Sequence, residues 1–247
     1  RQPTKIDGLS NIVRVAAGAH HSLAINNKGH IYGWGSGWSG QLGSAQHDLN
    51  TPTLIPSNER FIEIAAGFSH SIAITEFGAL FVWGTGEKGQ LGLGVDMKKT
   101  TIPKQIESVG NVRFLMISAS EYHSAAVSED GQIYTWGLNR QGQLGYKTAE
   151  DAPLAYIPYK VPINDIFVSV AVGSAHTVAV SQGGQLYFWG RKLLMSEISP
   201  PMSLDIPNEH FVWVSTRVNH ILALTSKYSP NGSNSSMRKR RMLCMGL

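Results

Sequence analysis

The sequence has little cysteine, little charge and no long apolar run, and each shortage removes a class of protein. Cys244 is the only cysteine, so no intrachain disulfide can staple the fold, and a reducing compartment is consistent with that usage. Charged residues make up only 15% of the chain, which suits short strands and tight turns better than long solvated helices. No stretch approaches the roughly 18 consecutive apolar residues that cross a bilayer as a helix. The chain starts at Arg1 with no signal-peptide pattern, so a trimmed start is expected and N-terminal evidence on targeting is missing. Equally missing are a P-loop, a nucleophile–base–orienter set and a pair of acid–base carboxylates. Hydrolase and transferase chemistry is therefore not expected, nor is a cofactor.

Glycine, in contrast, is abundant, with 26 residues among 247. That length allows one large all-β domain or two ordinary ones. The net charge of +4 points to nucleic acid until its position is considered. Lys227, Arg238, Lys239, Arg240 and Arg241 lie in a tail without acids, which leaves 16 basic residues before it against all 17 acidic ones. A body of that balance lacks the electrostatic footprint of a duplex-binding domain.

The main signal is internal repetition. His21, His70, His123, His176 and His220 recur at separations of 49, 53, 53 and 44 residues. Thirteen residues after each of the first four comes a Trp-Gly pair, at Trp34, Trp83, Trp136 and Trp189. Eight residues after the same histidines lies a glycine, and Gly-Gln-Leu-Gly follows three of the pairs, at 40–43, 89–92 and 142–145. Within one unit, Ser71-Ile72-Ala73-Ile74 and Leu80-Phe81-Val82-Trp83 read as the arms of a hairpin, with Gly78 supplying the positive φ of its turn. A period near 50 residues with several strands per unit predicts the blades of a β-propeller.

These motifs closely resemble the regulator of chromosome condensation repeat: Ala-Ala-Gly-x-x-His-Ser, then Trp-Gly, then Gly-Gln-Leu-Gly, from about Pro3 to Leu224. The resemblance implies an all-β propeller. Family members of the best-known kind have seven blades, whereas this chain shows four full repeats and a partial fifth around Val212 to Leu224, so about five blades are expected over residues 1–226. The fourth repeat departs from the pattern, with Arg191-Lys192-Leu193-Leu194 after Gly190. Thr4 to Leu9 reads as the end of a preceding repeat. One solution is a last blade shared by both termini, which closes the ring and removes unpaired edges; an open arc is the other.

The candidate site residues follow. The repeated histidines His21, His70, His123 and His176 fall one per blade, so they cannot converge on a metal and are expected as buried structural groups. Trp34, Trp83, Trp136 and Trp189 are expected as inter-blade packing. The segments Gly35-x-Gly37-x-x-Gly40 and Gly84-x-Gly86-x-x-Gly89 match a dinucleotide fingerprint in letters, but they run into Gly-Gln-Leu-Gly rather than into a helix and recur with the repeat. Trp38 sits in a loop where the matching positions are Lys88 and Gln141, the neighbour of Arg140. Trp38, Lys88 and Arg140 are candidate partner contacts.

Residues 227–243 read as a flexible basic linker, with a Pro/Gly/Asn/Ser stretch from Ser229 to Ser236 and the run Arg238, Lys239, Arg240, Arg241. Residues 244–247 match a C-a-a-X prenylation box at Cys244, with the basic run as a second membrane signal. A nuclear-localisation run beside an incidental cysteine is the alternative. The resemblance implies binding to a small GTPase of the Ran type. The reading is then a monomeric, membrane-tethered propeller on the cytosolic face of a membrane, which activates that GTPase by promoting guanine-nucleotide exchange. The alternative is a non-catalytic adaptor that recruits a protein partner to a membrane. A prenylated protein of this kind fits a eukaryote or a bacterial effector acting in a host cell. The family's exchange factor uses an inserted β-wedge for which the repeat spacings leave no room, so no catalytic residue is carried over.

Overall fold

The computed structural model describes residues 2–44, 47–149, 152–191, 198–218, 220–226 and 240–246. Apart from one 3₁₀ turn, Glu107–Val109, its regular elements are strands in five antiparallel sheets. Sheet one is β1 (Ile12–Ala17), β2 (His21–Asn26), β3 (Ile31–Ser36) and β4 (Asp48–Leu54). The second is β5 (Phe61–Ala66), β6 (His70–Thr75), β7 (Leu80–Thr85) and β8 (Lys99–Gln105). The third comprises β9 (Phe114–Ala119), β10 (His123–Ser128), β11 (Ile133–Leu138) and β12 (Leu154–Lys160). The fourth is β13 (Phe167–Val172), β14 (His176–Ser181), β15 (Leu186–Arg191) and β16 (Ile198–Leu204). The last has three strands, β17 (Phe211–Arg217), β18 (His220–Ser226) and β19 (Arg240–Gly246).

Each sheet is a meander whose neighbours in sequence are neighbours in space, so five propeller blades follow the five histidines. The hairpin glycines Gly29, Gly78, Gly131 and Gly184 all have φ between 76° and 83°, as the turn requires. The Trp-Gly glycine has a different task. Gly84 has φ 107°, and a Cβ there would lie 2.4 Å from the carbonyl oxygen of Ser69. Only glycine lets β7 pass that close to the turn entering β6, which is why Gly follows the repeat tryptophans Trp34, Trp83, Trp136 and Trp189.

The core lies between blades rather than within them. Leu23 and Ile25 of blade one bury with Phe61, Ile64 and Trp83 of blade two. Ile72, Ile74, Leu80 and Val82 of blade two then bury with Phe114, Ile117 and Trp136 of blade three. Blades two to five thus each turn a leading face onto the blade before, and blades one to four a trailing face that receives the blade after.

This packing runs from blade one to blade five without returning to blade one among the described residues. Val15 measures the consequence. It is 73% exposed, whereas its counterparts Ile64, Ile117, Val170 and Val214 are 5, 8, 3 and 2% exposed. Trp34 and Ser22 are likewise only half-buried, and His220, on the trailing face of blade five, is exposed. Among the described residues the five blades form an open arc. Residues 2–11 form no strand, so the expected sharing of the last blade between the termini is not found.

The third strand of blade five comes instead from the other terminus. His220 pairs with Gly246, Leu222 with Cys244 and Leu224 with Met242, the register in which His70 pairs with Gly84, Ile72 with Val82 and Ile74 with Leu80. Met242-Leu243-Cys244-Met245-Gly246 thus occupies the place of Leu80-Phe81-Val82-Trp83-Gly84. The basic linker and the C-a-a-X box expected over 227–243 and 244–247 differ from this arrangement. Their apolar end supplies a strand, because an alternating run that ends in glycine pairs with the edge β18 otherwise leaves open. Cys244 is exposed there. Arg238, Lys239 and the stretch from Ser229 to Ser236 lie outside the described residues, and Arg240 and Arg241 open β19.

Candidate protein-interaction face

The strand order places two sets of loops on one face of the arc: the turns joining the first and second strands of each blade, and the longer loops joining the third and fourth. The first set surrounds the axis. Ala17-Gly18-Ala19, Ala66-Gly67-Phe68, Ala119-Ser120-Glu121, Val172-Gly173-Ser174 and Thr216-Arg217-Val218 together line a cavity of about 270 Å³. Ala19 N–H donates to the Gly67 carbonyl (3.2 Å) and Phe68 N–H to that of Ser120 (3.1 Å), so the first three turns are stapled to each other. Phe68 meets the ring of His20 edge-on at 5.4 Å. Glu121 and Arg217 bring charge to the same rim, from blades three and five.

Beneath this rim the histidines form the joints. The Ser71 hydroxyl donates to the Gln41 carbonyl at 2.8 Å, so at 2.9 Å it must accept from His21 Nε2–H. The indole N–H of Trp83 donates to the same Gln41 carbonyl at 2.8 Å. The joint repeats as His70, Ser124, Gln90 and Trp136, and again as His123, Thr177, Gln143 and Trp189. One side chain from the leading blade, one backbone carbonyl from its loop and two side chains from the next blade lock together. At the last joint His176 donates to Thr216 at 2.7 Å, because Ile221 stands where the other blades have Ser or Thr.

Burial holds all four rings neutral. The pKa of His21 falls to about 4 through burial and then His20, and that of His70 to about 3 through burial and then His21. His123 falls to about 3 through burial and then His176, and His176 to about 4 through burial. A Cβ on Gly67 would lie 2.4 Å from the His70 ring, which explains the glycine three residues before the histidine. Blade three has Ser120 there, and its Oγ hydrogen-bonds His123 Nδ1 at 2.9 Å. The four histidines, expected as buried structural groups, lie buried one at each joint. Sequence reasoning missed the hydroxyl partner, although it was visible: Ser22, Ser71, Ser124 and Thr177 each follow a repeat histidine.

The outer loops are equally fixed. The side-chain oxygens of Gln41, Gln90 and Gln143 accept the backbone N–H of Ser39, Lys88 and Gln141 at 2.9, 2.9 and 2.8 Å. These bonds correct the loop register: Lys88 matches Ser39, and the counterparts of Trp38 are Glu87 and Arg140. Trp38, Lys88 and Arg140 stand exposed on three successive blades of the same face and are not gathered into one cluster. Trp38 is 63% exposed yet immobilised. Its ring stacks on His47 at 4.1 Å, its indole N–H donates to Asp48 at 3.3 Å, and Lys99 Nζ donates to its carbonyl at 3.0 Å. The fingerprint segment at 35–40 enters no helix, so it has no place for a dinucleotide phosphate.

Comparison with known proteins gives one consistent answer. A family model for the RCC1-like domain matches residues 1–237. The ultraviolet-B receptor UVR8 of Arabidopsis thaliana is 33% identical over 193 residues, covering 76% of this chain and 44% of that protein. The human probable E3 ubiquitin-protein ligase HERC6 is 31% identical over 238 residues, covering 90% of this chain and 18% of that protein. Among solved structures, Prp20p of Saccharomyces cerevisiae, described with its binding properties to Gsp1p and histones, superposes with a TM-score of 0.81 at 27% identity. That match covers 92% of this chain and 59% of the yeast chain. The chain thus spans less than two thirds of each of these proteins.

Proposed function

Because the chain belongs to the RCC1-like domain family, we propose that it is a protein-interaction propeller whose loop face binds a small GTPase of the Ran type and promotes guanine-nucleotide exchange. The observation that carries the reading is a face whose loops are pre-organised while its tips stay exposed. Gln41, Gln90 and Gln143 lock the loops, and Trp38, Lys88 and Arg140 project from them. A rigid exposed aromatic loses little entropy on binding and makes an effective anchor. The described binding of Gsp1p to Prp20p, which shares the fold at 27% identity, supports a GTPase as the partner.

Exchange of this kind needs no covalent chemistry and no cofactor. A protein that binds the nucleotide-free GTPase more tightly than the loaded form lowers nucleotide affinity by that ratio. The test is release of a fluorescent GDP analogue from a purified Ran-type GTPase, with and without the chain. Acceleration that falls at least tenfold in the triple variant Trp38→Ala, Lys88→Ala, Arg140→Ala supports the proposal. Binding without acceleration selects the adaptor alternative, and absence of both removes the GTPase.

The membrane tether requires Cys244 to leave its strand, since prenylation takes an extended free end and Cys244 pairs with Leu222. Cys244→Ser expressed in a eukaryotic cell tests it. Loss of a membrane pool supports the tether, and an unchanged distribution removes it.

A further inference from the structure

We propose that the histidine joints make the arc acid-releasable, and that the joint between blades one and two opens first. Each joint places a buried imidazole across an inter-blade seam, with Nε2–H given to a hydroxyl whose own proton is already committed. Protonation must therefore occur at Nδ1. For His21 and His70 that atom is buried without a hydrogen-bond partner and faces Gly18 or Gly67, where even a methyl group would collide with the ring. An N–H formed there meets no acceptor. At His123 the same atom already has Ser120 Oγ within reach.

The groups around the rings offer a cation nothing. The titratable neighbours that act on them are histidines: His20 on His21, His21 on His70, and His176 and His70 on His123. Among the described residues no carboxylate acts on any of the four, and a proton on one ring opposes a proton on the next.

The sign follows directly. With the joint closed, the rings titrate at about 4 and 3 at the first two joints; once opened into water, they return to the ordinary value near 6.5. The closed joint is fully favoured above pH 6.5 and loses about tenfold in its equilibrium per histidine per pH unit below it, until the closed ring itself titrates. Blade one is the natural first blade to part. Among the described residues blades one and five each pack on a single neighbour, so the release of either breaks one joint, and of their two joints only that of His21 has a buried Nδ1 without a partner. Opening there uncovers Leu23, Ile25, Phe61 and Ile64, which this joint buries.

Hydrogen exchange of the full chain, followed by mass spectrometry at pH 7.5, 6.0 and 5.0 with rates corrected for intrinsic pH dependence, reads the opening blade by blade. Protection is expected to fall in β1 to β3 and in β5 by about sevenfold between pH 6.0 and 5.0, while β9 to β11 keep theirs, and to return at pH 7.5. His21→Gln, which retains an amide donor towards Ser71 but does not titrate there, should remove that loss. Equal loss in all blades at once, or full protection of β1 to β3 at pH 5.0, overturns the proposal. Should His21→Gln fail to fold, the blade-resolved exchange of the unaltered chain decides alone.

Discussion

Replacing Trp83 and Trp34 by alanine, separately, sets the same motif position against itself in two environments. Trp83 is fully buried between blades one and two, and its indole N–H donates to Gln41 at 2.8 Å. Truncation removes a large buried ring, leaves a cavity and deletes that bond, for a cost of roughly 3–5 kcal/mol. About 1 kcal/mol of this belongs to the hydrogen bond, since the Gln41 carbonyl keeps the Ser71 hydroxyl. Trp34 has the same neighbours within its blade but no preceding blade to cover it, and it is half-buried. With part of its surface already in water, its loss should cost about 1–2 kcal/mol. Urea unfolding followed by far-ultraviolet circular dichroism measures both, with equal slopes as the check that the unfolded reference is shared. Equal costs would mean that something covers the leading face of blade one in solution, and the open arc would be wrong. A cost below about 1 kcal/mol for Trp83→Ala would refute the inter-blade role of the motif itself.

Ser124→Ala leaves the His70 Nε2–H buried and unpaired, so it should cost about 1–3 kcal/mol, while Ser22→Ala, which receives no histidine from a neighbouring blade among the described residues, should change stability by less than about 0.5 kcal/mol; the same denaturation series compares them. Gly67→Ala forces a methyl group to 2.4 Å from both the His70 ring and the Ser120 carbonyl, and should lower stability by about 1–3 kcal/mol. At Gly94, where no atom lies within 4 Å, only the φ of 95° opposes alanine, so the thermal midpoint should fall less. Far-ultraviolet circular dichroism of the unaltered chain should show strand with helix well below 20%, since ordinary domains average about a third helix.

The blades were legible because each carries its punctuation in the sequence. The hairpin glycine, the Trp-Gly pair and Gly-Gln-Leu-Gly all answer to local backbone demands, and local demands leave fixed spacings. The fifth blade was half legible for the same reason. Its third strand keeps the apolar alternation and the glycine but has Met245 for Trp, and 13 residues separate it from Ser226, so Cys244 and Gly246 read more readily as a terminal box. Closure was not legible at all. Whether Val15 meets another blade depends on what stands next to blade one in space, and no residue of β1 encodes that. The joints lay between, since the Ser or Thr after each histidine recurs in sequence while its partner belongs to the neighbouring repeat.

Ser226 pairs with Arg240 at the end of blade five remote from the axial turns and the Gln-locked loops. Arg240 and Arg241 therefore open their strand on the side of the arc opposite the loop tips that carry Trp38, Lys88 and Arg140. A macromolecule held at that end of the blade and another held by the loop tips do not compete for space.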